Sequence, residues 1–284
     1  MTGVRAFGAI LLSAALGGAL ALETAQARPL DAVKSGGVLR VTVYRDYSPW
    51  SWRDGGSLKG IDVEIGAALA KALGCKVDYL ELRPDDNLND DLRNGVWRGS
   101  LLGEAPGDVM MHVPNDPRIE EANDRVKLTA AYQMEGYAMA VDPAKSKAAE
   151  DFSLFETEKV AVDLGTLADV ILLSARDHKL IDNVVHFRGE DKAALAYDKG
   201  EVSAFYGEAA LVEHLAHTVT RPVEIIHPSH KLAQTIAIGG AVKIDSVDLG
   251  EEIDRQMAAL AASGELNKIF VSYGVAWRRP AQDR

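Results

Sequence analysis

The sequence has 284 residues, of which 47% are hydrophobic and 26% charged, and its formal net charge is −11. These proportions are typical of a globular protein with material for one large domain or two modest ones. The acidic balance argues against a nucleic-acid partner, because phosphate binding requires a concentrated basic surface. The chain has one cysteine, Cys75, so it forms no disulfide within itself.

The first 27 residues have the pattern of a secretory signal peptide. Arg5 supplies a positive charge, the stretch 6–22 is almost wholly apolar, and Ala25-Gln26-Ala27 has the small residues that precede a signal-peptidase cut. A transmembrane helix is the alternative interpretation, since about 20 apolar residues can span a bilayer. The cleavage motif favours the signal peptide. We therefore predict a mature chain that begins at Arg28 and is exported to the periplasm.

Strands and helices alternate through the first half of the mature chain. Apolar residues recur at every fourth position from Ile61 to Leu73, which is the spacing of an amphipathic helix, and Gly74 ends it. Runs rich in β-branched residues predict strands before and after that helix. The predicted elements are strands at 38–43, 76–82 and 108–113, and helices at 61–73 and 89–95.

The second half repeats this alternation between two extended apolar runs, 136–141 and 235–242. Strands are predicted at 159–162, 184–187 and 202–206, and helices at 167–175, 192–199, 209–215 and 249–260. Alternation of this kind predicts parallel sheets with crossover helices. We interpret the two extended runs as crossovers between two α/β lobes. Lobe 1 would be discontinuous, comprising residues 28–137 and 238–284, and lobe 2 would comprise residues 138–237.

A series of short motifs runs along the whole mature chain in a recognisable order. They are Leu39-Arg40-Val41, Tyr47-Ser48-Pro49-Trp50-Ser51-Trp52, Gly60-Ile61-Asp62-Val63-Glu64, Gly107-Asp108-Val109, Asn115-Asp116-Pro117-Arg118, Val162-Asp163-Leu164-Gly165-Thr166, Gly200-Glu201-Val202-Ser203-Ala204 and Gly264-Glu265-Leu266-Asn267-Lys268-Ile269. Together they resemble the type II periplasmic solute-binding proteins, in the amino-acid-binding branch. The resemblance implies two lobes, each a mostly parallel sheet flanked by helices, joined by a hinge of two crossover strands. It implies ligand capture in the cleft between them.

The same resemblance assigns an anion clamp to particular residues. In the family, the arginine at the Arg118 position holds the ligand carboxylate, and a guanidinium suits this role because it donates two parallel hydrogen bonds. Asn115 stands where relatives have a hydroxyl residue. The turn Gly165-Thr166 would add backbone N–H groups at a helix N-terminus. The alternative for Arg118 is a surface ion pair with Glu120 or Glu121.

Departures from the family pattern point to an anionic ligand. Relatives that bind α-amino acids have an acidic residue near the first turn, where this chain has Tyr44-Arg45. Glu208, where relatives usually have aspartate, is the obvious acid of the predicted cleft. Tyr47 matches a position where relatives stack an aromatic ring on the ligand. Trp50 offers another flat face, although packing in the core is its alternative role.

A narrower resemblance concerns Met111-His112-Val113-Pro114, which is similar to a strand of binding proteins associated with quinoprotein dehydrogenases, with His112 in place of a glycine. It predicts a planar polycarboxylate ligand, specifically pyrroloquinoline quinone, bound as cargo rather than as a resident cofactor. The alternatives are an ordinary polar amino acid, or a cyclohexadienyl dehydratase-like enzyme with Glu208 or Glu135 as general acid. We expect a monomeric non-enzyme without a metal site. Its partners would be its small-molecule ligand and either an inner-membrane ABC permease or a periplasmic quinoprotein dehydrogenase.

Overall fold

A computed structural model describes residues 28–100 and 103–281, and the predicted signal peptide lies outside these ranges. Up to residue 135 the elements are α1 (Leu30–Gly36), β1 (Val38–Tyr44), β2 (Trp52–Asp54), β3 (Ser57–Lys59), α2 (Ile61–Ala72), β4 (Lys76–Leu82), α3 (Leu88–Leu92), β5 (Val109–Pro114), α4 (Pro117–Ala122), β6 (Val126–Leu128) and β7 (Gln133–Glu135). A π-helix at Arg93–Trp97 extends α3.

The chain continues with β8 (Tyr137–Val141), α5 (Ser146–Ala149), β9 (Val160–Asp163), α6 (Leu167–Ser174), β10 (Val184–Phe187), α7 (Glu190–Asp198), β11 (Ala204–Glu208), α8 (Ala209–Ala216) and β12 (Glu224–Ile226). It ends with β13 (Ile236–Lys243), α9 (Val247–Ala262) and α10 (Glu265–Ser272). None of the helices in the described ranges has the length and apolar character needed to cross a membrane.

These strands form two larger sheets and the small hairpin β2–β3. The first sheet has the order β4–β1–β5–β13–β6, and β7 also pairs with β13. The second has the order β10–β9–β11–β8–β12. In the first sheet β4, β1 and β5 are parallel, and β13 is antiparallel to β5. In the second sheet β10, β9 and β11 are parallel, and β8 is antiparallel to β11. The α/β class predicted from the sequence is therefore present, with mixed rather than wholly parallel sheets.

The chain passes between the sheets twice. The first passage is at Gly136, between β7 and β8, and the second is the segment 227–235 between β12 and β13. The extended runs predicted as crossovers are thus strands β8 and β13, and each passage lies immediately before them. The first sheet takes strands from both ends of the described chain. The proposed lobe boundaries remain a prediction.

Burial of apolar helix faces explains how each sheet is covered. In α2 the residues Ile61, Ile65 and Leu69 are fully buried in the core of the first sheet, as their spacing predicts. The second sheet is covered on both faces, with Ile171 of α6 in one buried cluster and Tyr197 of α7 in another. Coverage of both faces is what parallel strands require.

The predicted first residue of the mature chain has a defined place in this fold. The Arg28 guanidinium donates to both carboxylate oxygens of Asp108, at 3.0 and 2.7 Å. It also donates to the Val38 carbonyl at 2.8 Å. Because the Asp108 side chain is only 3% exposed, Arg28 supplies the countercharge for a buried carboxylate.

Candidate functional site

Two adjoining cavities lie where the sheets face each other. We call the first, of about 420 Å³, the front chamber. Its lining comes from the ends of β1, β5, β7 and β11, from the segment after β1, from α3 and from the start of β13. The second, of about 410 Å³, is the rear chamber, and it lies against the passages between the sheets. Both volumes fall within the usual range for small-molecule sites. The chambers share the walls Glu135, Glu208 and Ile236.

A hydrogen bond joins the two lobes across the front chamber. Tyr47 follows β1 of the first sheet, and its hydroxyl donates to Glu208 Oε2, at the end of β11 in the second sheet, over 2.9 Å. Burial, and then the charge of Glu208, raise the pKa of Tyr47 well above its ordinary value. The hydroxyl therefore keeps its proton and acts as the donor. The structure thus brings together two of the residues predicted from the sequence.

His112 connects this bond to the interior of lobe 1. Its Nε2 lies 3.3 Å from the Tyr47 hydroxyl, and its Nδ1 lies 3.4 Å from Asp62 Oδ2. Asp62, in the first turn of α2, is fully buried and accepts a 2.5 Å hydrogen bond from the Tyr132 hydroxyl. That hydroxyl in turn accepts the His112 backbone N–H at 3.1 Å. Polar groups therefore follow one another from Glu208 to Tyr132, and the His112–Asp62 step is an ion-pair contact rather than a hydrogen bond.

Trp50 packs against His112 in the core and does not face a ligand. Its side chain is fully buried, with ring centroids 4.4 Å from His112 and 5.9 Å from Phe270. It lines neither chamber. The backbone N–H of Asp62 binds the Trp50 carbonyl, which holds the aromatic turn against the start of α2. The structure therefore places Trp50 in the core of the first sheet, which is the alternative role considered from the sequence, rather than at a ligand.

Glu135, the last residue of β7, is a carboxyl group in the walls of both chambers. Its Oε1 accepts the backbone N–H groups of Gly136 and Ala210, at 3.0 and 3.2 Å. Its Oε2 is buried and has no hydrogen-bond partner among the described residues. Burial, and then the charge of Glu208, raise the pKa of Glu135 to about 7. Sequence reasoning considered this residue only as a possible general acid.

The mouth of the front chamber has both signs of charge. Tyr44 donates its hydroxyl to Asp91 Oδ2 at 2.8 Å, and burial followed by the Asp91 charge raises the Tyr44 pKa. Arg45, predicted to face an anionic ligand, lines the chamber beside Asp46, and both are exposed. Deeper in the chamber the carboxyl groups are those of Asp91, Glu135 and Glu208. The walls are therefore more acidic than the sequence indicated.

The predicted anion clamp is not assembled around these chambers. The Arg118 side chain is 84% exposed, and its Nε donates to both oxygens of Asp116, at 3.0 and 2.9 Å. Its guanidinium lowers the pKa of Asp116 to about 2. Asn115 donates to the Thr129 carbonyl at 2.6 Å and lines a separate cavity. Arg118 thus forms a local surface pair, with Asp116 in place of the glutamates that the sequence suggested.

The turn before α6 uses its hydrogen-bond groups locally. Thr166 Oγ1 accepts the Asp169 backbone N–H at 3.2 Å, so Thr166 caps the helix. The Gly165 N–H donates to Asp169 Oδ2 at 2.9 Å. The anion site predicted at Gly165 and Thr166 is therefore occupied by a carboxylate of the same helix. The next residue, Leu167, lines the rear chamber.

Metal binding has no support within residues 28–100 and 103–281, where no group of three or more histidine, cysteine or acidic side chains is placed to hold an ion. His214 and His217, three positions apart on the sequence, have structural contacts instead. His214 Nδ1 lies 2.7 Å from the Tyr273 carbonyl, and His217 Nδ1 lies 2.8 Å from the Glu213 carbonyl.

Comparison with known proteins supports the fold most directly. The sequence model of the family described as bacterial extracellular solute-binding proteins, family 3, matches residues 39–97. No curated protein matches the sequence. Three solved structures represent the structural relatives, each with sequence identity of 20% or less.

The first is an ancestral cationic amino acid solute-binding protein, with a TM-score of 0.68, 20% identity, and coverage of 86% of this chain and 98% of that one. The second is an amino acid ABC transporter substrate-binding protein from Streptococcus pneumoniae bound to L-arginine, with a TM-score of 0.59, 19% identity, and coverage of 86% and 97%. The third is an ancestral cyclohexadienyl dehydratase, with a TM-score of 0.54, 18% identity, and coverage of 86% and 95%. These likenesses confirm the two-lobed periplasmic-binding-protein fold.

Proposed function

We propose that this chain is an exported solute-binding protein that captures a small ligand with a cationic group between its lobes. The observation that carries the proposal is the Tyr47–Glu208 hydrogen bond, which spans the lobes at a chamber walled by carboxyl groups. A ligand that binds Glu208 competes for this bond and exchanges one link between the lobes for another. Hinge closure of this kind is a known form of ligand response in two-lobed proteins.

The charge of the walls favours an amino acid over a polycarboxylate. A ligand carboxylate placed beside Glu208 and Asp91 would be repelled, whereas an ammonium group would satisfy them. The relatives named above include a cationic amino acid binder and an arginine complex, which agrees with that chemistry. We therefore rank an amino acid ligand above pyrroloquinoline quinone, reversing the order suggested by the sequence.

Pyrroloquinoline quinone is the second candidate, and Tyr44 and Tyr47 favour it. Their rings lie with centroids 6.0 Å apart at the front chamber, where a flat ligand could contact them, and Arg45 stands beside them. If the quinone is the ligand, we expect a quinoprotein dehydrogenase as the periplasmic partner. If an amino acid is the ligand, we expect an inner-membrane ABC permease, which we propose as the partner.

The accompanying proposals concern location, assembly and chemistry. The units that move would be residues 28–137 with 238–284, and residues 138–237. The protein would be a monomer released to the periplasm by cleavage before Arg28.

The relative described as a dehydratase makes an enzyme on this fold an alternative, with Glu135 or Glu208 as general acid. Against it, Glu208 is held by Tyr47, and a carboxyl group alone is not catalytic machinery.

Isothermal titration with lysine, arginine, phenylalanine, glutarate and pyrroloquinoline quinone tests the proposal. We expect one of the amino acids to bind, and at 100 times its Kd to stabilise the fold by about 2.7 kcal/mol. Glu208→Gln should weaken that binding, while the folded variant keeps its far-UV spectrum. Preferential binding of the quinone would select the second candidate. Absence of binding to any member of the panel would reject the cationic ligand, and turnover of prephenate would reject the transport role.

A further inference from the structure

The rear chamber combines two features that none of the sequence motifs assigns. It is lined by Glu135, whose buried Oε2 has no hydrogen-bond partner among the described residues, and by exposed apolar side chains that lie beside Lys231. Leu167, Leu232 and Ile236 line it with exposed fractions of 46%, 38% and 47%. Apolar side chains exposed together in a concave site indicate a binding surface more often than chance placement.

The carboxyl group of Glu135 is held in a fixed position. Oε1 is bound to the backbone N–H groups of Gly136 and of Ala210 in α8, so the side chain cannot turn away. Oε2 remains without a partner among the described residues, although only 5% of Glu135 is exposed. A buried polar atom without a hydrogen bond is unfavourable, so a donor brought by a ligand would remove a penalty already present in the fold.

Glu135 and Glu208 lie at the junction of the two chambers, and Leu232 and Ile236 border the rear one. We propose that the rear chamber binds the apolar tail of an amine whose protonated nitrogen lies at Glu135 and Glu208. The ligand class is then an ammonium compound with an apolar tail, such as an amino acid with an apolar side chain or an arylalkylamine. This inference rests on the proposed function, since it identifies the ligand of the same cleft.

A bound ammonium group favours the ionised form of Glu135, so binding should release a proton. The titratable groups around Glu135 are Tyr47, His112, Tyr137, Glu208 and Lys231. Burial, and then the charge of Glu208 in the same two walls, raise the pKa of Glu135 to about 7, so this carboxyl group is partly protonated near neutral pH. The proton released from Glu135 distinguishes direct contact from a general effect of an acidic cleft.

The test titrates the full mature chain with phenethylamine, phenylalanine, lysine and glutarate. We expect the first two to bind more tightly than lysine. Glu135→Gln should weaken phenethylamine binding roughly 10- to 150-fold. Titration at about pH 6.5, in phosphate and in Bis-Tris, should give different heats for the natural chain and equal heats for the variant.

Matched variants separate the tail from the charge. Asp254→Asn changes another partly buried carboxyl group of raised pKa, which lines neither chamber, and should leave phenethylamine affinity within about threefold. Leu232→Asn should weaken phenethylamine about tenfold or more and leave lysine unchanged, because it removes apolar wall and no charge.

Each outcome has a definite reading. Tight lysine binding with weak binding of both apolar amines would overturn the rear-chamber assignment and leave the proposed function intact. Unchanged phenethylamine affinity in the folded Glu135→Gln variant would also overturn it. Preference for glutarate, or failure of every compound, would overturn the cationic ligand itself and the proposed function with it.

Discussion

Removal of the Tyr132 hydroxyl should destabilise lobe 1 far more than an ordinary tyrosine-to-phenylalanine change. The hydroxyl donates to Asp62 over 2.5 Å and accepts the His112 N–H over 3.1 Å, and both Asp62 and Tyr132 are buried. In Tyr132→Phe the carboxylate loses a hydrogen bond, at about 1.5–3 kcal/mol, and a buried N–H is left unpaired, at about 1–3 kcal/mol. Because the two losses share one site and are not additive, we expect a total of about 3 kcal/mol.

Urea denaturation followed by far-UV circular dichroism measures this loss. Tyr197→Phe is the matched control, since the Tyr197 hydroxyl donates to the Pro222 carbonyl at 2.6 Å, a bond without a charged partner. The control should lower the free energy of unfolding by about 1 kcal/mol. Equal losses in the two variants would refute the reasoning that the buried carboxylate of Asp62 depends on Tyr132.

Three further changes test other parts of the structure. The raised pKa of Glu135 means that the folded chain holds this proton more tightly than the unfolded chain, so the free energy of unfolding falls as pH rises from about 4.5 through 7. Glu135→Gln should remove up to about 3 kcal/mol of that fall between pH 5 and 8, as measured by urea midpoints. Arg118→Ala should change neither the urea midpoint nor ligand affinity, and a loss of about tenfold or more in affinity would restore this residue as the carboxylate clamp. Gly60→Ala should lower the free energy of unfolding by about 2–5 kcal/mol, because φ is 134° and a Cβ would lie 2.1 Å from the Trp50 carbonyl oxygen. Gly37→Ala, with open space around the new Cβ, should lower it by about 1 kcal/mol. Similar values for the two variants would contradict this prediction.

Periodicity predicted the long elements well because burial imposes it. Strands β4 and β10 have the bounds that the sequence indicated, and α2 ends at Ala72, close to the predicted Leu73. The strands β6, β7 and β12 were missed, since three residues are too few to show a period. Their pairing depends on β13 and β8, which are distant in sequence.

The site was harder to predict than the fold, because the role of each residue depends on the groups that it contacts, and the sequence shows only its type. Tyr47 and Glu208 were both expected in the cleft, but the hydrogen bond between them was not predicted from the sequence. Arg118 did not join them, since an aspartate two positions earlier offers its guanidinium a nearer partner. Glu135 was underestimated because its importance depends on burial and on the Ala210 N–H, and neither can be read from the neighbouring letters.

His112, in the wall of the front chamber, limits the shape of the ligand as well as its charge. His112 has φ of 61°, a left-handed conformation that is unfavourable by about 1–2 kcal/mol for a residue with a side chain. Its contacts with Tyr47, Trp50 and Asp62 offset this strain, so the imidazole is fixed in place. A glycine at this position would leave this volume empty for a flat ring. With His112 present, an aromatic ligand cannot occupy the space between Tyr47 and Trp50, and the available room lies towards Glu135 and the rear chamber. Shape and charge therefore favour the same class of ligand, a cation that reaches past Tyr47 to the carboxyl groups at the junction.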